Sequence, residues 1–145
     1  MERRQFLASC ILLGGFLLAR PGKLFAEWMD KYFQQVPIQD AFRNALGTAD
    51  IAKTDKLTIT APPVASDGSS VPVEINSAIK CERIYLFVEK NLTPLVFVCN
   101  LQANAQPWLA LNIKMKESSS LHAVIWDGRQ YLMSSVHVNV LAQAC

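Results

Sequence analysis

From Asp55 onward the chain alternates apolar and polar residues with a period of two, and this limits the fold more than any other feature. Leu57, Ile59 and Ala61 share one side of a first run, and Val71, Val73 and Ile75 alternate with Pro72, Glu74 and Asn76. Ile84, Leu86 and Val88 then alternate with Arg83, Tyr85, Phe87 and Glu89, and Leu95, Phe97, Cys99 and Leu101 share the next inward side. Leu109, Leu111, Ile113 and Met115 follow, then Leu121, Ala123 and Ile125, and finally a run from Leu132 to Val140. A period of two puts alternate side chains on opposite faces of a strand, so each run has one face to bury. Turn formers punctuate the runs: the stretch 62–70, the Asn91-Leu92-Thr93-Pro94 turn, and Asp127-Gly128. Pro72 cannot donate to a ladder, which marks an edge or the first residues of its strand. The pattern predicts an all-β body over residues 55–140, an immunoglobulin-like antiparallel sandwich of about seven strands.

The period changes before Asp55. Residues 27–35 read as a short helix with Trp28, Met29, Tyr32 and Phe33 roughly on one side, ended by Pro37. A second helix is predicted over 38–46, with Ile38, Ala41, Phe42, Ala45 and Leu46 as its apolar stripe and Gly47 as its stop. This N-terminal helical segment, 27–54, reads as packing material for the sandwich, with a partner interface as the lesser alternative.

Residues 1–26 read as an export signal. Arg3-Arg4 precede a mostly apolar run over 6–19 that is too short for a comfortable membrane span, and Arg20-Pro21-Gly22-Lys23 ends it. Ala26 suits a cleavage position, and Arg3-Arg4-Gln5-Phe6-Leu7 has the form of a twin-arginine signal. Leu7-Ala8-Ser9-Cys10 matches a lipoprotein box only by letters, because almost no apolar segment precedes it. The mature chain is therefore expected in the periplasm, with no membrane attachment after cleavage. The signal also carries the positive charge. Of 14 basic and 12 acidic residues, it holds four and one, leaving 10 basic and 11 acidic. Nothing in that balance calls for nucleic acid or an anionic membrane.

Little in the mature chain is classical catalytic material. His122 and His137 both fall on the non-core face of their strands and read as surface histidines. A blue-copper sandwich needs a cysteine with histidine and methionine a few residues later, and neither Cys99 nor Cys145 has them. There is no paired-cysteine metal motif, Gly-rich phosphate loop or Gly-x-Ser-x-Gly elbow, and the carboxylates are scattered. The Asn91-Leu92-Thr93 glycosylation triplet is incidental behind a bacterial-type signal. What remains is thiol chemistry. Cys10 leaves with the signal, and Cys81, Cys99 and Cys145 stay. An odd count in an oxidising compartment leaves one thiol free or paired between molecules. Cys81 and Cys99 flank one hairpin and could form a disulfide. Strand parity, however, turns Cys81 away from the Ile84-Leu86-Val88 face, which favours two unpaired thiols. Cys145 ends a five-residue tether, 141–145, that spans roughly 17 Å at about 3.3–3.6 Å per residue.

Several of these residues together resemble one family, the SoxY subunit of the periplasmic sulfur-oxidation carrier. The matching stretches are Leu57-Thr58-Ile59-Thr60-Ala61-Pro62 running to Asp67-Gly68-x-x-Val71-Pro72-Val73, and Glu89-Lys90-Asn91-x-x-Pro94-Leu95. The Asp127-Gly128-x-x-Tyr131 turn and the closing strand from Val136 to Val140 fit as well. The resemblance implies a carrier that is not itself an enzyme and has no cofactor beyond a covalently bound sulfur intermediate. It implies a heterodimer with a SoxZ-like subunit, a haem enzyme that loads thiosulfate-derived sulfur, and a hydrolase that releases sulfate. Only Cys145 can be the covalent sulfur attachment residue by position.

The chain departs from the family pattern at this arm. The family arm ends Gly-Gly-Cys-Gly-Gly, whereas Ala142-Gln143-Ala144-Cys145 contains no glycine. Alanine and glutamine are bulkier and stiffer than glycine, which narrows the clefts such an arm can enter. A terminal carboxylate on the same Cα disfavours the thiolate, and less thiolate means a slower nucleophile. The expectation is a slower or specialised carrier, against the alternative of a structural or assembly subunit whose terminal cysteine does nothing.

Overall fold

The computed structural model describes residues 32–142, which fall within one compact unit. The predicted signal over 1–26 and most of the first predicted helix lie outside the described residues. Of that helix, Tyr32 is helical, Phe33 is in a turn, Gln34 has no regular structure and Gln35 is in a bend. The second helix is present as α1 (Ile38–Leu46). It starts at Pro37, whose carbonyl accepts the Ala41 N–H at 2.9 Å, and ends at Gly47, whose left-handed φ of 79° lets its N–H reach the Arg43 carbonyl.

Nine strands follow among the described residues: β1 (Ala52–Lys53), β2 (Leu57–Thr60), β3 (Val64–Ala65), β4 (Val71–Ser77), β5 (Arg83–Val88), β6 (Leu95–Asn100), β7 (Trp108–Ile113), β8 (Ser119–Trp126) and β9 (Tyr131–Val140). They form a sandwich. One sheet runs β1-β9-β8-β5-β6, with β3 also paired to β9, and the other runs β2-β4-β7. The long pairings are antiparallel, as the alternation requires. The two additional strands are not: β1 and β3 each pair with β9 in parallel. At two residues apiece they are too short to carry a period, and β3 lies inside the stretch read only as turn formers. Pro72 sits second in β4, opposite Asn112, and β4 is the middle strand of its sheet, so the proline marks a strand start and not an edge.

The core between the sheets contains the alternating residues read from the sequence, among them Val71, Val73, Ile75, Ile84, Leu86, Val88, Leu121, Ala123, Ile125 and Val138. A second apolar cluster lies on the opposite face of the larger sheet. Phe42, Ala41, Ala45 and Leu46 of α1 cover Tyr85, Phe87, Leu95 and Val124 there. The Phe42 and Phe87 rings meet edge to face at 4.8 Å. Tyr85 and Phe87, expected on a non-core face, are therefore fully buried. Leu95, expected to point inward with Phe97, joins this outer cluster instead. A register shift opposite Leu86 and Phe87 is the reason, since one extra residue turns the start of β6 over.

The β8–β9 hairpin turns at Asp127, whose Oδ1 accepts the Arg129 and Gln130 N–H groups, both at 2.8 Å. These bonds hold the Asp127 carboxyl below its usual range. Gly128 has φ 97°, and a Cβ there would meet the Glu82 carboxylate at 3.2 Å. Gly128→Ala is expected to cost about 1–2 kcal/mol in urea unfolding, from the left-handed backbone together with that contact.

Candidate functional site

The feature read from the sequence as functional is the end of β9 and the cysteine beyond it. Cys145 lies outside the described residues, and the chain is described as far as Ala142. The geometry on the page is that of the arm's root. Asn139 donates its N–H to the Pro63 carbonyl and Leu141 to that of Ala65, each at 3.0 Å. The Gly68 N–H reaches the Ala142 carbonyl at 2.8 Å, and the Met115 N–H in turn reaches the Gly68 carbonyl at 2.8 Å. From the opposite side, Ser118 Oγ accepts the Val140 N–H at 2.8 Å.

A local device presents Gly68. The Asp67 carboxylate accepts the Ser69 N–H at 2.8 Å and the Ser69 hydroxyl at 2.7 Å, closing a tight turn that aims the Gly68 amide at β9. The same bonds hold the Asp67 carboxyl below its ordinary range. The arm is thus tied to the sandwich two residues past the end of β9. The tether expected at 141–145 begins, in effect, after Ala142. Asp67-Gly68 was legible as a turn, but its partner 74 residues further on was not.

The other two thiols lie elsewhere. Cys81 is buried in the core between the sheets, and Cys99, half-buried, pairs with Ile84 across β5–β6. Both are free. The parity that turned Cys81 away from Ile84, Leu86 and Val88 does not hold, because Cys81 precedes the first residue of β5 and the strand period does not extend to it. Burial pushes the Cys81 thiol up, and the neighbouring Cys99 and Asp127 add to this. A raised thiol is a poor nucleophile. Iodoacetamide at neutral pH is therefore expected to modify Cys99 at least about tenfold faster than Cys81 in the folded protein, with the difference lost in denaturant. Equal rates in the folded state, read by peptide mass, would contradict this placement.

His122 and His137 lie on the outer face of the larger sheet, as parity places them. His122 is nevertheless largely covered: its side chain is 14% exposed, under the Phe42 ring at 5.7 Å. Its Nδ1 is 2.7 Å from Ser135 Oγ across the hairpin, and its Nε2 is 2.9 Å from Glu89 Oε2. The sequence reading missed this serine–histidine–carboxylate row because its members come from three strands or strand ends. Acyl-transfer chemistry also needs preorganised donors around a developing oxyanion, and here β8 and β9 are paired with each other along the whole row. The row acts as a brace that ties the end of β5 to the hairpin. Among the described residues, no group of three or more His, Cys, Asp or Glu is placed to hold a metal.

Asn91 has a similar structural duty. Its Nδ2 donates to the Lys114 carbonyl at 2.8 Å and its Oδ1 accepts the Lys116 N–H at 2.9 Å, so the triplet's amide is committed inside the protein.

The family model for the sulfur oxidation protein SoxY matches residues 42–145. The sulfur carrier protein SoxY from Chlorobium limicola f thiosulfatophilum superposes with a TM-score of 0.63 at 25% identity, over 70% of this chain and 93% of that one. Two variants of superoxide reductase (neelaredoxin) from Ignicoccus hospitalis superpose with TM-scores of 0.52. They are 15% and 14% identical, over 59% and 72% of this chain and 79% and 93% of theirs, and share the fold alone. Comparison with curated protein sequences gives no match. The match begins inside α1 and runs through both sheets, the Asp67-Gly68 turn and the arm, so this chain belongs to the SoxY family of sulfur oxidation proteins.

Proposed function

We propose that this chain is a periplasmic sulfur carrier that holds thiosulfate-derived sulfur on Cys145 and presents it to the enzymes of sulfur oxidation. The single observation that carries the reading is the anchored root. Among the described residues the hydrogen bonds beyond β9 reach Leu141 and Ala142, and Cys145 stands three residues further along the sequence. Family membership and the sulfur carrier from Chlorobium support the same reading.

The chemistry follows from the thiol. The Cys145 thiolate would join the outer sulfur of thiosulfate in a new S–S bond, an oxidation that releases two electrons, which a loading haem enzyme would take up one at a time. The product is a cysteine S-thiosulfonate. Water then cleaves its sulfur–sulfonate bond in a hydrolase, giving sulfate, two protons and a cysteine persulfide anion. The carrier's part in this reading is to supply the attachment thiol and its delivery. A SoxZ-like subunit covers part of the sandwich in the working heterodimer, and export follows the twin-arginine route.

The test is the intact mass of the protein from cells grown on thiosulfate, before and after reduction. A reducible increment on the peptide ending in Cys145 is expected, its size identifying the cargo. An unmodified Cys145 with a second subunit still co-purifying would defeat the carrier reading.

A further inference from the structure

We propose that Arg83, Asn100 and Trp126 form a binding site for a small tetrahedral oxoanion of the size and charge of sulfate. The site lies at the end of the larger sheet away from the arm, and it stands whether or not Cys145 carries sulfur. Register builds it. Asn100 of β6 pairs with Arg83 of β5, Arg83 with Trp126 of β8, and Trp126 with Tyr131 of β9. Ile84 and Ile125, next in their strands, belong to the core between the sheets, so alternation puts this row on the outer face. α1 covers that face further along, over Phe87 and Val124. In the row itself Arg83 and Asn100 are exposed, and Trp126 and Tyr131 are half-buried. The whole of β9, from Tyr131 to Val140, separates this row from the arm, about 30 Å at roughly 3.3 Å per residue.

The guanidinium is fixed before any ligand arrives. Its Nε donates to Asn100 Oδ1 at 2.8 Å, and its Nη1 donates to the Tyr85 hydroxyl at 3.0 Å. Tyr85 is itself only 3% exposed, held against the Phe87 and Tyr131 rings. An arginine already held at two points loses little freedom when it binds a third group.

Both of those partners are neutral, so the positive charge is left unmatched. Among the described residues no carboxylate pairs with Arg83. Glu82 lies against Gly128, and Asp127 Oδ1 is engaged by the Arg129 and Gln130 N–H groups. The adjoining loop, 101–107, carries no charged residue. Burial pushes the Tyr131 phenol up, and Tyr85 adds to this, so the phenol brings no negative charge.

Donors are in excess as well. Arg83 occupies Asn100 Oδ1 and the Tyr85 oxygen, whereas Arg83 Nη2, Asn100 Nδ2 and Trp126 Nε1 have no acceptor among the described residues. Charge and donor count together call for a ligand with several acceptor oxygens. A carboxylate offers two in one plane, which the guanidinium fork alone satisfies. A tetrahedral oxoanion keeps further oxygens for the amide and the indole.

The experiment titrates the isotope-labelled protein with sodium sulfate at constant ionic strength, with sodium chloride as the balance, and follows side-chain N–H signals by NMR. Saturable shifts of the Asn100 amide and Trp126 indole signals are expected. The Trp108 indole, bonded to Glu74 on the other sheet, should stay still and report an intact fold. Arg83→Gln is expected to weaken sulfate binding at least about tenfold. Asn100→Asp keeps the guanidinium in place and supplies the missing carboxylate, so it is expected to weaken sulfate by a similar factor with the Trp108 signal unmoved. Acetate should bind the parent at least about tenfold more weakly than sulfate. Shifts that rise without saturating in the parent overturn the proposal, as does sulfate binding that survives in Asn100→Asp. Acetate binding as tight as sulfate also overturns it, and would make the row a seat for a carboxylate side chain.

Discussion

Cys145→Ser is expected to abolish thiosulfate-dependent loading, reducing it to the background of the enzyme without carrier. A serine hydroxyl is far less nucleophilic than a thiolate at neutral pH, and an S–S bond cannot form to oxygen. Neither remaining thiol can substitute. Cys81 is buried with its thiol pushed up, and Cys99 is half-buried in β6 with Sγ 3.8 Å from the Asn100 carbonyl. The sandwich itself should be untouched, because among the described residues those of its core end at Val140. The measurement is reducible mass gain after incubation with thiosulfate and loading enzyme, read beside thermal unfolding. Loss of loading with unchanged unfolding supports the carrier. Retention of sulfur oxidation in cells carrying only the serine variant would point to an assembly subunit.

The absence of glycine at the arm bears on rate more than on existence. Ala142, Gln143 and Ala144 stand where the family pattern has a slim hinge, and the structure adds that Ala142 is already tied to Gly68. The missing glycines stiffen the arm without changing its length per residue, and the tie at Ala142 sets its root two residues beyond β9.

How much of this was legible in the sequence depends on the range of the interaction. The faces of β4, β7 and β8 were readable because each buries one side against the other sheet, and period two reports that directly. β5 carried a further signal that the alternation obscured. Ile84-Tyr85-Leu86-Phe87-Val88 is an unbroken apolar run, the mark of a strand covered on both faces. Tyr85 and Phe87 were assigned outward because the neighbouring polar residues, Arg83 and Glu89, share their parity. The amphipathic stripe of α1 was equally readable, but a stripe does not say which sheet face receives it. At the arm, the sequence indicated a cysteine worth attention. It could not indicate that Leu141 and Ala142 are clamped, since the clamp consists of backbone groups, the Ala65 carbonyl for Leu141 and the Gly68 N–H for Ala142.

The largest expected stability effect follows from that outer cluster. Phe42 is 4% exposed and stands between the sheet and solvent, with Phe87 at 4.8 Å on one side and His122 at 5.7 Å on another. Phe42→Ala removes the ring from a site that α1 can close only by shifting as a unit. A buried Phe→Ala change costs about 3–5 kcal/mol, here an estimated 3–4, since a surface helix can relax somewhat. For a domain of this size that is a fall of roughly 10–15 °C in Tm. The loss has a second part: without the ring, water reaches the His122–Glu89 and His122–Ser135 bonds, and a hydrogen bond exposed to water contributes less net stability. Phe33→Ala is the control. At 39% exposure it should cost under about 1 kcal/mol. Urea unfolding of the two variants beside the parent decides the matter. A Phe42→Ala cost as small as that of Phe33→Ala would mean that α1 is not docked on the larger sheet, and that the outer faces of Tyr85 and Phe87 are open to a partner subunit instead.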